Sequence, residues 1–297
     1  MSIFTKAGVA IITPFKEDDL SVNYDAFAEL IDFQIDNGTD CIIVCGSTGE
    51  AATMTEQEHL DVCKFCIDYT KKRVPVIAGS GSNCTQTAIN LSKEIAGYGA
   101  DGLLVIHPYY NKGTQKGLIK HFRMVAEEVN GCPVVLYNVP SRTGGNINPE
   151  TVAQLVKEVP NIVGIKEASG NMSQVVELFA KCGDKIDVYS GEDALTVPMM
   201  SMGGTGCISV LSNVVPGMAV EMTDAALAGD FAKAAQLQCR MLPLINCLFS
   251  EVNPIPAKAA VSAMGYGVEH LRLPLTPMEP ANREKLFAEM AKLGVQV

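Results

Sequence analysis

Apolar residues fall in short unbroken runs along the chain. Each run is followed by a longer stretch in which apolar positions recur every three or four residues. The runs begin near Ala7, Cys41, Val74, Gly102, Pro133, Asn161, Lys185 and Gly206. Cys41-Ile-Ile-Val-Cys45, Leu103-Leu-Val-Ile106 and Val134-Val-Leu-Tyr137 are nearly continuous in apolar character. Strands covered on both faces, as in a parallel sheet, have this pattern. The intervening stretches are amphipathic. Residues 23–36 place Tyr24, Phe27, Leu30, Ile31 and Ile35 at helical spacing. Residues 55–71 open with Thr55 as an N-cap, and Glu58 three positions on predicts a capping box. Helices are also predicted over 84–97, 115–129, 149–157, 173–181 and 193–202, with Asn148-Pro149 a good helix start.

Eight strand–helix units predict an α/β fold, a (β/α)8 barrel of the TIM type, over residues 1–225. Strand signals then stop. Helical patterns at 230–249, 255–264 and 281–293 predict a C-terminal helical extension over 226–297. An open doubly wound sheet is the competing architecture, but no G-x-G-x-x-G follows the first strand to support nucleotide binding.

Composition narrows the partners. The 297 residues carry a formal net charge of −10, which disfavours nucleic acid and anionic membranes. No apolar stretch is long enough to span a bilayer, and the N-terminus lacks signal-peptide character. The ten cysteines include several inside apolar runs, the usage of a reducing, cytoplasmic setting. Cys63-x-x-Cys66 lies mid-helix without a second pair or a nearby histidine cluster, so it reads as packing, and neither a metal nor a cofactor is expected.

The candidate chemistry lies at the strand ends, where a barrel of this type builds its active site. The sixth run ends Val163-Gly164-Ile165-Lys166-Glu167. Gly164 and Lys166 share a face, and the glycine is expected to leave space beside the lysine. A solvated lysine has a pKa of about 10.4. Burial favours the neutral amine, which attacks carbonyls. A solitary strand-end lysine more often snorkels to water, so the neighbouring strand ends matter. The second run leads into Gly46-Ser47-Thr48-Gly49-Glu50, whose backbone N–H groups and hydroxyls suit an anion and a proton relay. Tyr109 and Tyr110 follow the fourth run. The fifth ends at Tyr137, with Arg142 in a loop beyond it as a fork for a carboxylate. A lysine, tyrosines, hydroxyls and an arginine, with no metal-ligand spacing, suit Schiff-base carbonyl chemistry.

At these residues the sequence resembles the pyruvate-dependent class I aldolases of the dihydrodipicolinate synthase/N-acetylneuraminate lyase superfamily. The resemblance runs from Gly8-Val-Ala-Ile-Ile-Thr-Pro-Phe15 to Asn253-Pro-Ile-Pro-Ala-Lys258. The Gly46-x-x-Gly49-Glu50 loop and the Lys166 strand mark the superfamily, and Tyr137-Asn-Val-Pro-x-Arg142-Thr-Gly is closer to its synthase branch. The resemblance implies a lyase of lysine and diaminopimelate biosynthesis that joins pyruvate to aspartate semialdehyde. Lys166 would form the Schiff base. Tyr137, Ser47 and Tyr110 would relay protons, with Tyr110 arriving from a neighbouring subunit of a homotetramer built from two dimers. Thr48 would hold the pyruvate carboxylate, Arg142 that of the semialdehyde, and Gly191 and Ile208 would line the pyruvate pocket. Ser47 stands where the family usually has threonine. A lysine-inhibition site would include Asn83, Tyr109 and His59. Thr87 replaces its usual glutamate and Glu56 stands where a histidine or lysine is frequent, so weak or absent lysine inhibition is expected. A sister lyase acting on N-acetylneuraminate or a 2-keto-3-deoxy sugar acid is the alternative within the superfamily, and a silent pyruvate- or lysine-binding barrel the alternative outside it.

Overall fold

Each of the eight apolar runs forms a strand in the computed structural model, which describes residues 2–267 and 269–297. The strands are β1 (Lys6–Ala10), β2 (Cys41–Val44), β3 (Val76–Gly79), β4 (Gly102–Ile106), β5 (Val134–Asn138), β6 (Ile162–Glu167), β7 (Asp187–Ser190) and β8 (Gly206–Ser209). All are parallel, each pairs with the next, and β8 pairs with β1 to close the barrel. Around them in chain order run α1 (Tyr24–Asp36), α2 (Glu56–Thr70), α3 (Thr85–Gly97), α4 (Gln115–Glu127), the single turn α5 (Pro140–Thr143), α6 (Pro149–Glu158), α7 (Met172–Cys182), α8 (Thr196–Ser201) and α9 (Pro216–Leu227). The helices α10 (Phe231–Leu248), α11 (Ile255–Val261) and α12 (Pro280–Lys292) follow. No described helix is long and apolar enough to cross a membrane.

Period-two alternation divides the strand residues between two cores. Val9, Ile42, Val44, Leu103, Val105, Leu136, Ile165 and Val188 face outward into the layer under the helices. Ala10, Cys41, Ile43, Ile77, Leu104, Val135, Tyr137, Tyr189 and Ile208 fill the barrel interior. Burying each large aliphatic side chain contributes roughly 1.5–3 kcal/mol, so a register slip that exchanged the two sets would be strongly resisted. Phe4 and Tyr189 stack in the interior with ring centroids 4.4 Å apart, and the Tyr189 hydroxyl donates to the Phe4 carbonyl at 2.8 Å.

Several local expectations change. The sequence pattern misses α9, whose buried face is largely Ala219, Thr223, Ala225 and Ala226, too small to give a strong apolar period. The expected boundary at 225/226 therefore falls inside its last turn. The helix predicted over 193–202 is a 3-10 turn (Asp193–Leu195) followed by α8. There the Asp193 carboxylate accepts from the Val210 and Leu211 N–H groups at 3.0 and 2.9 Å. The capping box at α2 is half formed. Thr55 Oγ1 accepts from the Glu58 N–H at 3.2 Å, but the Glu58 carboxylate pairs with Arg272 at 2.7 Å, and a charged partner wins over a backbone N–H.

Candidate active site

Lys166 projects into the barrel from the end of β6, flanked in register by Tyr137 on β5 and Tyr189 on β7. It is only 6% exposed, and its Nζ lies 4.5 Å from the Tyr137 ring centroid. The next residue, Glu167, points the opposite way by strand alternation. Its carboxylate accepts from Asn138 Nδ2 at 3.0 Å, the Ser169 N–H at 2.7 Å and Gln174 Nε2 at 3.2 Å. These bonds tie β5, β6 and α7 together directly behind the lysine and fix the direction in which it points.

The space beside Lys166 comes from a different glycine than expected. A Cβ at Gly164 would press on β7, 3.1 Å from the Asp187 carbonyl and 3.5 Å from Tyr189 Cε2, and its nearest neighbours are there and not on the lysine. A Cβ at Gly191 would lie 2.8 Å from Lys166 Cε and 2.8 Å from the Ala168 Cβ. Gly191 thus leaves the lysine stem its room. Ile208 faces the same interior from β8. The strand end beyond Ile208 is held by Asp193, whose carboxyl burial pushes above its ordinary range.

The loop after β2 is pinned from several sides. Thr13 Oγ1 donates to the Gly49 carbonyl at 2.8 Å, and Asn253 Nδ2 donates to Thr48 Oγ1 at 2.9 Å. Cys45 and Glu50 hold left-handed backbone conformations, φ 52° and 54°, which concentrate at functional sites. Arg142 lies on the helical turn α5, started by Pro140, and not in an open loop. Its Nη2 donates to the Asn253 carbonyl at 3.1 Å. Asn253 therefore connects the loop that carries Ser47 and Thr48 to the arginine at the rim.

Beneath this loop lies a buried charge cluster. Lys258 is fully buried, pairs with Glu50, donates to the His270 carbonyl at 2.8 Å and sits 3.9 Å from the centre of the Phe15 ring. Burial lowers its pKa to about 8. Arg272, over the other contact with Phe15 at 4.1 Å, pairs with Glu58. These ion pairs clamp α11 and the segment after it onto the barrel mouth.

A cavity of about 270 Å³ opens between the ends of β2, β3 and β4. Ser47, Tyr137, Tyr109, His59, Glu56 and Thr87 all border it, while Lys166 does not. The cavity therefore joins two of the expected relay residues to four of the positions named for an inhibitor. Asn83 is not in its wall, although its carbonyl accepts from Asn111 Nδ2 at 2.7 Å nearby. His59 Nε2 is 2.7 Å from the Gly79 carbonyl, and burial lowers its pKa. Tyr110 is not brought to the site of its own chain. It is 88% exposed on a left-handed residue, φ 71°.

Sequence reasoning missed Glu167 and Asp193 as supports for the site and left Asn253 and Lys258 without a role. The run Asn253-Pro-Ile-Pro-Ala-Lys258 was the available signal, because it carried the far end of the resemblance. It also missed that a ligand atom from each of Cys45, His59 and Cys63 lies within 4.8 Å of the other two.

The chain is similar to known proteins over nearly its whole length. The model of the family described as "Dihydrodipicolinate synthetase family" matches residues 3–293. The 4-hydroxy-tetrahydrodipicolinate synthase of Lachnoclostridium phytofermentans is 57% identical over 99% of this chain and 100% of its own. A crystal structure of dihydrodipicolinate synthase from Aquifex aeolicus superposes with a TM-score of 0.96 at 44% identity, covering 99% of both chains. A structure described as the first monomeric dihydrodipicolinate synthase variant superposes with a TM-score of 0.96 at 37% identity, over 99% of this chain and 98% of that one.

Proposed function

The chain belongs to the dihydrodipicolinate synthetase family, and from that premise we propose that it condenses pyruvate with L-aspartate 4-semialdehyde through a Schiff base on Lys166. It is a lyase with 4-hydroxy-tetrahydrodipicolinate synthase activity, the activity named for its full-length relatives. The observation that carries the lysine assignment is a buried amine at the end of β6, faced by a tyrosine ring from the adjacent strand.

The Lys166 amine adds to the C2 carbonyl of pyruvate, and water leaves to give the Schiff base. Loss of a methyl proton gives an enamine. Its terminal carbon attacks the aldehyde carbon of the semialdehyde, whose oxygen takes up a proton. The amine of the second substrate then adds to the former pyruvate C2, closes the ring and displaces Lys166. Tyr137, whose ring lies 4.5 Å from the Lys166 amine, exchanges protons with the reacting atoms in this reading. Ser47, on the same cavity wall, hands them on, and Tyr110 of a second copy completes the relay. Thr48 and its neighbouring N–H groups hold the pyruvate carboxylate. Arg142 at the rim holds that of the semialdehyde, and Gly191 and Ile208 shape the pocket. The working form is an assembly of copies, a homotetramer of paired dimers in the cytoplasm.

Initial-rate measurements with pyruvate and L-aspartate 4-semialdehyde, set against cleavage of N-acetylneuraminate, test the substrate. Rapid condensation with negligible cleavage is expected. Preferential cleavage of the sugar acid would overturn the assignment while leaving the Schiff-base chemistry standing.

A further inference from the structure

The cluster behind the Ser47 loop has a geometry that packing alone does not require. Cys45 ends the β2 run, while His59 and Cys63 lie one helical turn apart on α2 and face it. All three are buried, and one ligand atom from each lies within 4.8 Å of the other two. Cys45 and His59 also border the 270 Å³ cavity, which gives a route in from the barrel mouth. We propose that Cys45, His59 and Cys63 form a binding site for a thiophilic divalent cation of the zinc class, with the fourth coordination position opening toward the cavity.

Two features support this reading. His59 Nε2 sits 2.7 Å from the Gly79 carbonyl. A histidine that ligates a metal through one ring nitrogen commonly donates its other N–H to such a carbonyl, which fixes tautomer and ring orientation. Glycine at 79 also lets β3 pass close to Cys45, since a Cβ there would lie 2.2 Å from the Cys45 carbonyl oxygen. Second, the donor set of two sulfurs and one imidazole nitrogen is the soft set zinc prefers. Tetrahedral bonds of about 2.0–2.3 Å put ligand atoms a little under 4 Å apart, so the cluster closes by about 1 Å at most. Binding displaces two thiol protons to solvent as two metal–sulfur bonds form, with no change in oxidation state. Cys66, the other half of the C-x-x-C, is not a member of the cluster. The second sulfur comes from a different element.

The test is a titration of the metal-free full-length protein with Cd²⁺ alone, read as thiolate-to-metal charge-transfer absorbance. One ion per chain with the amplitude of two thiolates is expected. Cys63→Ala should halve the amplitude and weaken binding by at least about tenfold. Cys84→Ser combined with Cys239→Ser, which removes the exposed thiols, should leave the titration unchanged. Equal titration of wild type and Cys63→Ala, loss of the signal on removing the exposed thiols, or no signal in wild type would each overturn the proposal. X-ray absorption of the wild-type protein loaded with Zn²⁺ gives an answer that needs no folded variant. Two sulfur neighbours at about 2.3 Å and a nitrogen at about 2.0 Å are expected, and a shell of oxygen and nitrogen only would overturn the site.

Discussion

A methyl group at position 191 would stand 2.8 Å from Lys166 Cε and 2.8 Å from the Ala168 Cβ, so one of them must move. The same group at position 164 would have its nearest neighbours on β7 and not on the lysine. The two glycines look equivalent in a sequence, since each precedes or follows a strand-end residue of interest. They differ because Gly164 shares a face with Lys166 but lies two residues of rise away along the same strand, whereas Gly191 comes alongside from the end of β7. Gly191→Ala should therefore lower the rate of pyruvate adduct formation by roughly tenfold or more, the cost of moving a reacting group by a fraction of an ångström. Gly164→Ala should form the adduct at near the wild-type rate and lose stability instead. Stopped-flow adduct formation and chemical unfolding on both variants check this, and the reverse pattern would contradict it. The lysine, Tyr137 and the Gly46–Glu50 loop were legible in the sequence because each ends or directly follows an apolar run. The contact of Gly191 with Lys166 was not, because it depends on the lateral register between β6 and β7.

At the scale of elements, the barrel strands and most helices follow directly from periods of two and about 3.6. What the pattern could not give was how the mouth is fastened. Glu50 and Lys258 lie 208 residues apart in the chain (258 − 50) and meet in full burial. Removing one partner of a buried pair leaves the other charged and unpaired, at a cost of about 3–5 kcal/mol. Lys258→Met should lower unfolding free energy by about that amount, and adding Glu50→Gln should recover a substantial part. Urea unfolding of the single and double variants measures both. A loss below about 1 kcal/mol for the single variant would show that the pair does not hold the mouth.

A second element-scale feature is the pair of buried histidines between β4 and α4. Burial, with His107 nearby, pushes His121 down to about 4 from an ordinary value of 6.5. Between those values the unfolded chain binds a proton that the folded chain does not. This contribution to stability is therefore complete above pH 6.5 and is lost as pH falls through 4, amounting to about 3 kcal/mol. His121→Gln should flatten the pH dependence of unfolding over that interval by up to the same amount. An unchanged slope would mean that His121 titrates normally in the folded state.

At the scale of the whole molecule, the proposed relay draws on a second chain. Tyr110 is 88% exposed and held in a left-handed conformation at the tip of the β4 loop. Sequence alone could name this tyrosine through the resemblance, but no pattern of apolar positions says which copy it serves. If it enters a neighbour's site, two inactive variants can repair one another. Mixing Tyr110→Phe with Lys166→Ala after dissociation and reassembly should restore part of the wild-type activity, because hybrid pairs contain one intact site. No recovery on mixing, with assembly verified by sedimentation, would place Tyr110 outside the relay.

Two lysines among the described residues are buried deeply enough to be candidate nucleophiles, and their surroundings separate them. Lys258 is fully buried and neutralised by Glu50, whereas Lys166 has only the Tyr137 ring over its amine among the described contacts. Incubation with pyruvate followed by borohydride reduction and peptide mass mapping distinguishes them in one measurement. A single reduced pyruvate adduct per chain, on Lys166, is expected. No adduct, or an adduct on Lys258 with Lys166 unmodified, would contradict it.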